Sequence, residues 1–216
     1  MQMETFWAVA HVAATNGWPL HQVDIKTVFL RGVLEQGEKV YMKQPKGFKA
    51  KGEEDLIWEL QKGLYGLPQT GRIWNKAVNQ GMLSLGFMRI KCKYCLYFHQ
   101  TKDGTVLTGI HVDNFLLTTS SLLQATNFKQ QIASIWEISD LGKAKFCVGI
   151  AIKHDLVSHH IYLSQTALID KILASFNMID CNPVSMPMEA GLILSRQSDT
   201  VLTHQEEIKL LDIPYR

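Results

Sequence analysis

Two aspartates each interrupt an apolar stretch of the chain, and carboxylates placed in this way are candidates for binding a metal ion. Asp24 stands between Val23 and Ile25, and Asp113 is followed directly by Asn114 after an apolar run. A buried carboxylate is costly unless it is paired or bound to a cation, but alternation along a strand can also place Asp24 on a solvated face. An Asp-Asn pair is equally typical of a tight turn, because both residues tolerate unusual backbone angles. Each motif alone therefore favours an ordinary structural role.

Taken together, the two aspartates indicate more than either does alone. Catalysis of phosphoryl transfer by two metal ions needs carboxylates from separate elements that converge on ions about 3.5–4 Å apart. Magnesium prefers a few carboxylates together with substrate phosphates over a closed protein cage. Neighbouring strands that carry Asp24 and Asp113 could meet this requirement and provide a magnesium site.

The apolar periodicity predicts helices and strands joined by hairpins. The first predicted helix covers 5–15 and ends at Asn16-Gly17. The second covers 73–85 and ends at Gly86. A third predicted helix is capped by Ser120 or Ser121, and a fourth is capped by Ser164. The predicted strands cover 20–30, 40–42, 94–100, 105–110, a pair flanking 112–114, and a hairpin formed by 145–153 and 160–163. Hairpins in place of a regular βαβ repeat predict an α+β domain with a mainly antiparallel sheet.

The charged residues are unevenly distributed along the chain. The net charge is only +2, but residues 60–100 contain no Asp or Glu. This acid-free stretch interleaves basic with aromatic residues, namely Lys62, Arg72, Lys76, Arg89, Lys91 and Lys93 with Tyr65, Trp74, Phe87, Tyr94, Tyr97 and Phe98. Lys and Arg near phosphates release condensed counterions, so the stretch suits a nucleic acid. A solvated basic face is the alternative.

The composition and the N-terminal residues indicate the class of protein and its cellular compartment. With 46% hydrophobic and 19% charged residues, the chain resembles a globular domain. No apolar run approaches the roughly 20 residues that span a bilayer, and no basic segment of a secretory signal opens the chain. We therefore expect an intracellular protein, of the cytoplasm or nucleus, with no membrane partner.

Cys92 and Cys95 form a CxxC pair, but a structural zinc site needs a second pair of ligands, so reduced cysteines are expected.

Several sequence blocks resemble, in the same order, the reverse transcriptase domain of copia-type retrotransposons. Residues 21–32 resemble the family's Q-M-D-V-K-T-A-F-L-N-G, residues 40–48 its Y-M-x-Q-P-x-G-F, and residues 60–74 its L-K-K-S-L-Y-G-L-K-Q-A-P-R-Q-W. Residues 111–114 stand where the family has Y-V-D-D, and residues 140–150 resemble D-L-G-x-A-K-Y-F-L-G-I. Shorter matches follow at 163–165, 176–178, 183–187 and 213–216. Blocks that keep this order are far more specific than a single motif.

The resemblance implies an RNA-directed DNA polymerase with palm, fingers and thumb, which acts on an RNA/DNA primer-template and deoxynucleotide triphosphates. It implies a partial fingers and palm over 1–155, a thumb-like segment over 156–189, and a poorly structured tail over 190–216 that leads to a missing downstream region. By the same resemblance, Asp24 and Asp113 bind two Mg²⁺ ions, and Asn114 occupies the remaining catalytic position.

The resemblance also implies one set of residues near the incoming nucleotide and another near the primer and template. These sets are, respectively, Phe29, Gln69 and Arg72, and Lys62, Phe146 and Gly149. Phe29 stands at the position of the aromatic steric gate, which crowds a 2′-hydroxyl, although a core aromatic on a strand is the commoner alternative. For Arg72, the alternative is an ordinary surface residue of a helix.

Three departures from the family pattern lower the expected activity. Asn114 replaces the second Asp of Y-V-D-D, and an amide offers only a neutral carbonyl oxygen. His111 replaces the usual tyrosine, and we expect the upstream fingers segment and the downstream ribonuclease H domain to be missing. We therefore expect weak or absent polymerase activity. The alternatives are a nucleic-acid-binding remnant without catalysis, and an unselected product that folds poorly and exposes apolar surface.

Overall fold

The computed structural model describes residues 3–34, 37–53 and 55–186, together with 188, 191, 203 and 204. Contacts divide the chain into one unit over Met1–Leu163 and a second over Ser164–Arg216. Asp24 and Asp113 both belong to the first unit. The division into fingers and palm over 1–155 and thumb over 156–189 stays a prediction, and the predicted tail over 190–216 lies almost entirely outside the described residues.

The described part of the chain contains four α-helices and one short 3-10 helix. Helix α1 covers Met3–Asn16, α2 Thr70–Ser84, α3 Leu122–Ile135 and α4 Thr166–Ser175, and the 3-10 helix covers Val28–Leu30. Ser121 caps α3 as predicted, because its hydroxyl accepts a hydrogen bond from the Gln124 backbone N–H at 3.3 Å. Gly86, just past α2, has a φ of +83°, a left-handed conformation that glycine adopts without strain.

Eleven strands form three sheets in the described residues. The strands are β1 Leu20–Ile25, β2 Tyr41–Lys43, β3 Ile57–Glu59, β4 Met88–Arg89, β5 Leu96–Thr101, β6 Gly104–His111, β7 Asn114–Thr119, β8 Ile138–Lys143, β9 Phe146–Cys147, β10 Ile150–Asp155 and β11 His160–Ser164. The main sheet has the order β4-β5-β6-β7-β1-β8, and its neighbouring strands are antiparallel. The smaller sheets are β11-β10-β9 and β2-β3. This architecture confirms the predicted α+β class.

The central strand β1 separates two apolar cores. Val23 and Ile25 belong to the core that contains side chains of α2 and α3. Leu20 belongs to the second core, which contains side chains of α1, β9 and β10. Side chains alternate between the two faces of a strand, so Gln22 and Asp24 point to the same face as Leu20. Asp24 therefore lies on the side of the sheet that carries α1 and the β9–β10 hairpin.

The strand predicted over 20–30 was too long. Strand β1 ends at Ile25, Thr27 adopts a left-handed conformation with a φ of 54°, and the 3-10 helix follows. The apolar residues beyond Ile25 suggested a continued strand because Val28 is indeed buried. Val28 reaches the core from a helical turn, however, and that turn also carries Phe29 away from the ladder.

Two further predictions need correction near β8 and α4. Strand β8 was not predicted, because it is a half-exposed edge strand whose partner β1 is remote in sequence. Ser164 does not cap the last helix: it is the final residue of β11, and α4 begins after Gln165, whose side chain makes no capping hydrogen bond. A serine fixed in a strand is one residue too early to reach the orphan N–H groups of that helix.

Within the described residues, no helix has both the length and the apolar character needed to cross a membrane. Cys92, Cys95, Cys147 and Cys181 are all free. The same residues contain no group of three or more His, Cys, Asp or Glu side chains arranged to hold a metal ion. Any divalent site built on Asp24 and Asp113 therefore has two carboxylates in this part of the chain.

Candidate active site

Asp24 and Asn114 face one another across adjacent strands. They are register partners at the end of the ladder between β1 and β7, so their side chains emerge on the same face of the sheet. Asp24 is half-buried. The two residues thus form the last pair of the β1–β7 ladder, next to the turn that carries Asp113.

The turn between β6 and β7 holds Asp113 at its tip. His111 pairs with Asn114, which leaves Val112 and Asp113 as a two-residue loop, and Val112 has a φ of 56°. A positive φ is costly for a β-branched residue and persists only when its surroundings enforce it. Two hydrogen bonds do so here. The Trp74 indole N–H donates to the Val112 carbonyl at 2.5 Å, and the Ile25 N–H donates to the Asp113 carbonyl at 2.9 Å.

A chain of side-chain hydrogen bonds connects β1 to Asp113. The Gln22 Nε2 group donates to Asn114 Oδ1 at 2.7 Å, and the Asn114 Nδ2 group donates to Asp113 Oδ1 at 3.0 Å. Gln22 is buried, with 7% of its surface exposed. Asn114 therefore turns its nitrogen toward Asp113, and its carbonyl oxygen is occupied by Gln22.

The electrostatics of the site show that the two carboxylates interact. Burial raises the pKa of the Asp24 carboxyl above its ordinary value, and the negative charge of Asp113 raises it further. Burial also lowers the pKa of the neighbouring His111 imidazole, which favours its neutral form. No cation side chain is among the causes that shift the Asp24 pKa. A divalent ion would relieve this repulsion.

Phe29 and Trp74 line a cleft beside the Asp113 turn. Its wall also includes Tyr97, Ile110 and Val112. The half-buried Phe29 ring contacts the exposed Tyr65 ring edge to face, with 5.0 Å between centroids. The structure thus places Phe29 next to the turn, although the 3-10 helix, and not a strand, carries it.

Gln69, Arg72 and Lys62 lie around the start of α2. Gln69 immediately precedes the helix and makes no capping hydrogen bond with its side chain. Arg72 is exposed on the first turn and forms an ion pair with Glu38. Lys62 is exposed and pairs through its backbone with Val33 in an isolated bridge. Their roles toward a nucleotide or a template stay predictions.

Phe146 and Gly149 belong to a tight hairpin on the Asp24 side of the sheet. Ile150 pairs with Cys147, so Val148 and Gly149 form a two-residue loop, with φ angles of 50° and 77°. Two consecutive positive φ angles are the mark of a type I′ turn, in which glycine is favoured. Phe146 leaves 54% of its surface exposed. The hairpin therefore presents an aromatic ring, and its role at a primer stays a prediction.

Sequence reasoning missed two residues that organise this site. Gln22 lies two positions before Asp24, and the period of two along a strand was the signal that both share a face. Trp74 lies in the block 60–74, but nothing in that block shows that its indole N–H reaches the turn after β6. Both contacts depend on pairings between segments that are far apart in sequence.

An antiparallel sheet with one aspartate on a central strand and another at the adjacent hairpin tip is consistent with the reverse transcriptase family that the sequence blocks resemble. Comparison with known proteins agrees: residues 2–190 match the family model described as reverse transcriptase (RNA-dependent DNA polymerase). The chain therefore belongs to the reverse transcriptase family, and its relatives are Pol polyproteins of copia-type transposons.

Three relatives illustrate the similarity. The chain is 30% identical, over all 216 of its residues, to the retrovirus-related Pol polyprotein from transposon TNT 1-94 of Nicotiana tabacum, of which it covers 16%. It is 32% identical over 201 residues, or 93% of its length, to the Pol polyprotein from transposon RE1 of Arabidopsis thaliana, of which it covers 13%. It is 34% identical over 149 residues, or 69% of its length, to a putative transposon Ty5-1 protein of Saccharomyces cerevisiae, of which it covers 47%. The chain thus spans only a small part of the plant polyproteins.

Proposed function

We propose that this chain is the nucleotidyl-transfer part of an RNA-directed DNA polymerase, with Asp24 and Asp113 as its metal ligands and with weakened activity. The observation that carries the proposal is that Asp24 on β1 is the register partner of Asn114, so that its carboxylate lies near enough to the Asp113 carboxylate at the tip of the β6–β7 turn for the two charges to interact. Reverse transcriptases generally use a divalent metal. The family membership of the chain supports nucleotidyl transfer as the reaction. It also supports a primer-template and deoxynucleotide triphosphates as the substrates.

The residues present fit a divalent cation, but with reduced affinity. Asp24 and Asp113 supply the carboxylate oxygens that Mg²⁺ prefers, and their mutual repulsion favours binding of a positive ion. Asn114 adds no charge, and its oxygen is occupied by Gln22. Two ions are expected by resemblance to the family, and a site with two carboxylates should hold at least the second of them weakly.

The division of labour among the residues follows from their positions. Divalent ions, when bound, activate the primer 3′-hydroxyl and neutralise the triphosphate and the leaving pyrophosphate. Asp24 and Asp113 hold that charge in place. Trp74 and Ile25 fix the turn through its two carbonyl groups, so that Asp113 need not reorganise during the reaction.

By resemblance to the family, we assign the cleft beside the turn to the sugar of the incoming nucleotide. Phe29 lines it next to Val112, where its ring can crowd a 2′-hydroxyl and favour deoxynucleotides. Arg72 and Gln69 lie at the start of α2, whose Gly71 and Trp74 line the same cleft. Lys62 and Phe146 are exposed, as contacts to primer and template require.

Primer extension by the purified chain tests the proposal. We expect slow, divalent-dependent addition of deoxynucleotides to a DNA primer on an RNA template, and loss of that addition in Asp113→Asn. A variant of an exposed residue of the second unit, Asp180→Asn, serves as the matched control. Equal extension by the chain and by Asp113→Asn would show that Asp113 does no catalysis here.

A second candidate function is binding of nucleic acid without catalysis. The acid-free stretch 60–100 supports it, because it forms α2, β4 and most of β5 and places Arg89 over the exposed Tyr94 ring, at 4.8 Å. Such basic and aromatic surfaces bind single strands through charge and stacking. Salt-dependent binding of a primer-template, with no extension in magnesium or manganese, would favour this candidate.

A further inference from the structure

We propose that Gln22 is a positioning residue of the metal site: by a paired rotation of two amides, it determines whether Asn114 presents a nitrogen or an oxygen to Asp113. The inference rests on the proposed function, because it concerns the site of Asp24 and Asp113. It assigns a task to a buried glutamine that neither the fold nor the reaction otherwise uses.

The hydrogen bonds allow only one arrangement of the two amides without a cation. An ionised carboxylate only accepts hydrogen bonds, so Asp113 needs a donor at the 3.0 Å contact with Asn114. If Asn114 turned by 180°, its carbonyl oxygen would face the Asp113 oxygen, and two acceptors would oppose each other. With the nitrogen of Asn114 fixed toward Asp113, its oxygen faces Gln22 and requires the donor that Gln22 supplies at 2.7 Å.

A cation at Asp113 reverses this preference. Positive charge repels the Asn114 N–H hydrogens and attracts its carbonyl oxygen, so the favoured rotamer places Oδ1 at the site. Asn114 Nδ2 then points at Gln22, which must accept instead of donate. A glutamine can do so by turning its own amide, because an amide carries a donor and an acceptor at nearly equal positions. Gln22 thus serves both states without an unpaired buried group.

Burial makes this second amide necessary. Gln22 is 7% exposed, and its neighbours on the same face, Leu20 and Leu116, are 2% and 0% exposed. An apolar residue at position 22 would leave one end of the Asn114 amide without a partner in either state, which costs free energy in a buried setting. The present arrangement, however, favours the cation-free rotamer, so it weakens binding of the ion.

Manganese affinity in a double-mutant cycle tests the proposal. Glu at position 22 only accepts when ionised, so Gln22→Glu fixes Asn114 with its oxygen toward the site, and measurement near pH 8 keeps Glu ionised. The added charge also attracts Mn²⁺ directly, so the same substitution is made in Asn114→Leu, where charge acts but the amide is absent. Free Mn²⁺ is measured by electron paramagnetic resonance for the full chain, and folding is checked by circular dichroism.

We expect Gln22→Glu to tighten Mn²⁺ binding at least about fivefold more in the native background than in Asn114→Leu, the scale of one hydrogen bond. Equal tightening in both backgrounds would overturn the proposal. If Gln22→Glu does not fold, Mg²⁺ titration of the unmodified chain by NMR decides: the side-chain NH₂ signals of Gln22 and Asn114 must shift together, and unchanged signals beside shifting Asp24 and Asp113 backbone signals overturn the proposal.

These outcomes are separable from those of the polymerase proposal. Coupled binding of Mn²⁺ without primer extension would leave the role of Gln22 intact and remove the catalytic function. Primer extension with equal tightening in both backgrounds would retain the catalytic function and remove the role of Gln22. Absence of Mn²⁺ binding in all four proteins would overturn both.

Discussion

The Trp74 indole N–H donates a hydrogen bond to the Val112 carbonyl oxygen at 2.5 Å. Helix α2 is thereby tied to the turn that holds Asp113, at the residue whose backbone is strained, with a φ of 56°. The indole itself is held by the Trp136 ring, which meets it edge to face at 5.6 Å. The position of a candidate metal ligand is thus linked to the core through the hydrogen bond that Trp74 donates.

Replacing Trp74 by Phe should weaken both the fold and the metal site. The ring keeps most of its apolar contacts, but the Val112 carbonyl loses its donor, at a cost of about 0.5–1.5 kcal/mol in the free energy of unfolding. We also expect Mn²⁺ affinity to fall, because Asp113 then samples more conformations. Urea unfolding and Mn²⁺ titration measure the two effects.

Trp136→Phe is the matched control for Trp74→Phe. Trp136 packs in the same core and is 6% exposed, so its truncation should also destabilise the fold. The control should leave Mn²⁺ affinity nearly unchanged. An equal loss of affinity in both variants would mean that core packing, and not the hydrogen bond to Val112, fixes Asp113.

Local sequence signals predicted those features that local physics determines. The helical spacing before Gly86, the cap at Ser121 and the alternation around Val23 each follow from interactions within a few residues, and the structure has the corresponding elements. The pairing of β1 with β8, and the Gln22 contact with Asn114 at 2.7 Å, join segments distant in sequence. The periodicity of apolar residues does not predict such a contact. The resemblance to a family could therefore identify Asp24 and Asp113 as candidate metal ligands, but not the residues that position them.

Asp24→Asn should stabilise the protein while it removes divalent binding. Burial and the Asp113 charge raise the pKa of Asp24, so its ionised form is disfavoured in the folded state. This penalty is absent at low pH and appears as pH rises through the folded pKa, because the unfolded chain then holds fewer protons than the folded one. Near neutral pH the neutral Asn avoids it. Thermal unfolding should show a higher Tm, and 1 kcal/mol corresponds to about 2–4 °C for a unit of this size.

The same experiment on Asp180→Asn provides the comparison for Asp24→Asn. Asp180 is exposed and lies in the second unit, so its substitution should change neither Tm nor Mn²⁺ affinity. A lower Tm for Asp24→Asn would show that its carboxylate stabilises the fold, which contradicts the raised pKa.

Asn114→Asp should exchange stability for metal affinity. A carboxylate at this position can still accept the hydrogen bond from Gln22, but it faces Asp113 where an N–H now donates at 3.0 Å. Like charges at this distance disfavour the folded state without a cation. We expect a lower Tm in chelator and a larger rise of Tm on addition of Mn²⁺ than the native chain shows. Asn114→Leu, which adds no charge, should show no larger rise of Tm on addition of Mn²⁺ than the native chain.

Gly149→Ala should strain the β9–β10 hairpin without a steric clash. A Cβ atom at Gly149 meets nothing within 4 Å, so the cost comes from its φ of 77° and amounts to about 1–2 kcal/mol for an L-residue. Gly149→Asn should cost less, since Asn tolerates this conformation. Unfolding free energies of the two variants test this order. An equal or larger loss in Gly149→Asn would mean that space around the turn, and not the backbone angle, selects glycine.

Acid should destabilise the first unit through His21. Burial and the nearby Lys129 ammonium lower the pKa of the His21 imidazole below 6.5, although the Asp140 carboxylate acts in the opposite direction. Lys129 Nζ lies 3.1 Å from His21 Nδ1 and 2.7 Å from Asp140 Oδ1. Below pH 6.5 the unfolded chain takes up a proton that the folded chain refuses, so the free energy of unfolding falls as pH drops toward the folded pKa of His21. The slope contributed by one such group is at most about 1.4 kcal/mol per pH unit.

His21→Gln should flatten the dependence of urea unfolding on pH between about 7 and 5, whereas substitution of the exposed His11 by Gln should not. An unchanged slope in His21→Gln would assign the acid sensitivity to His111 or His154, whose pKa values burial also lowers.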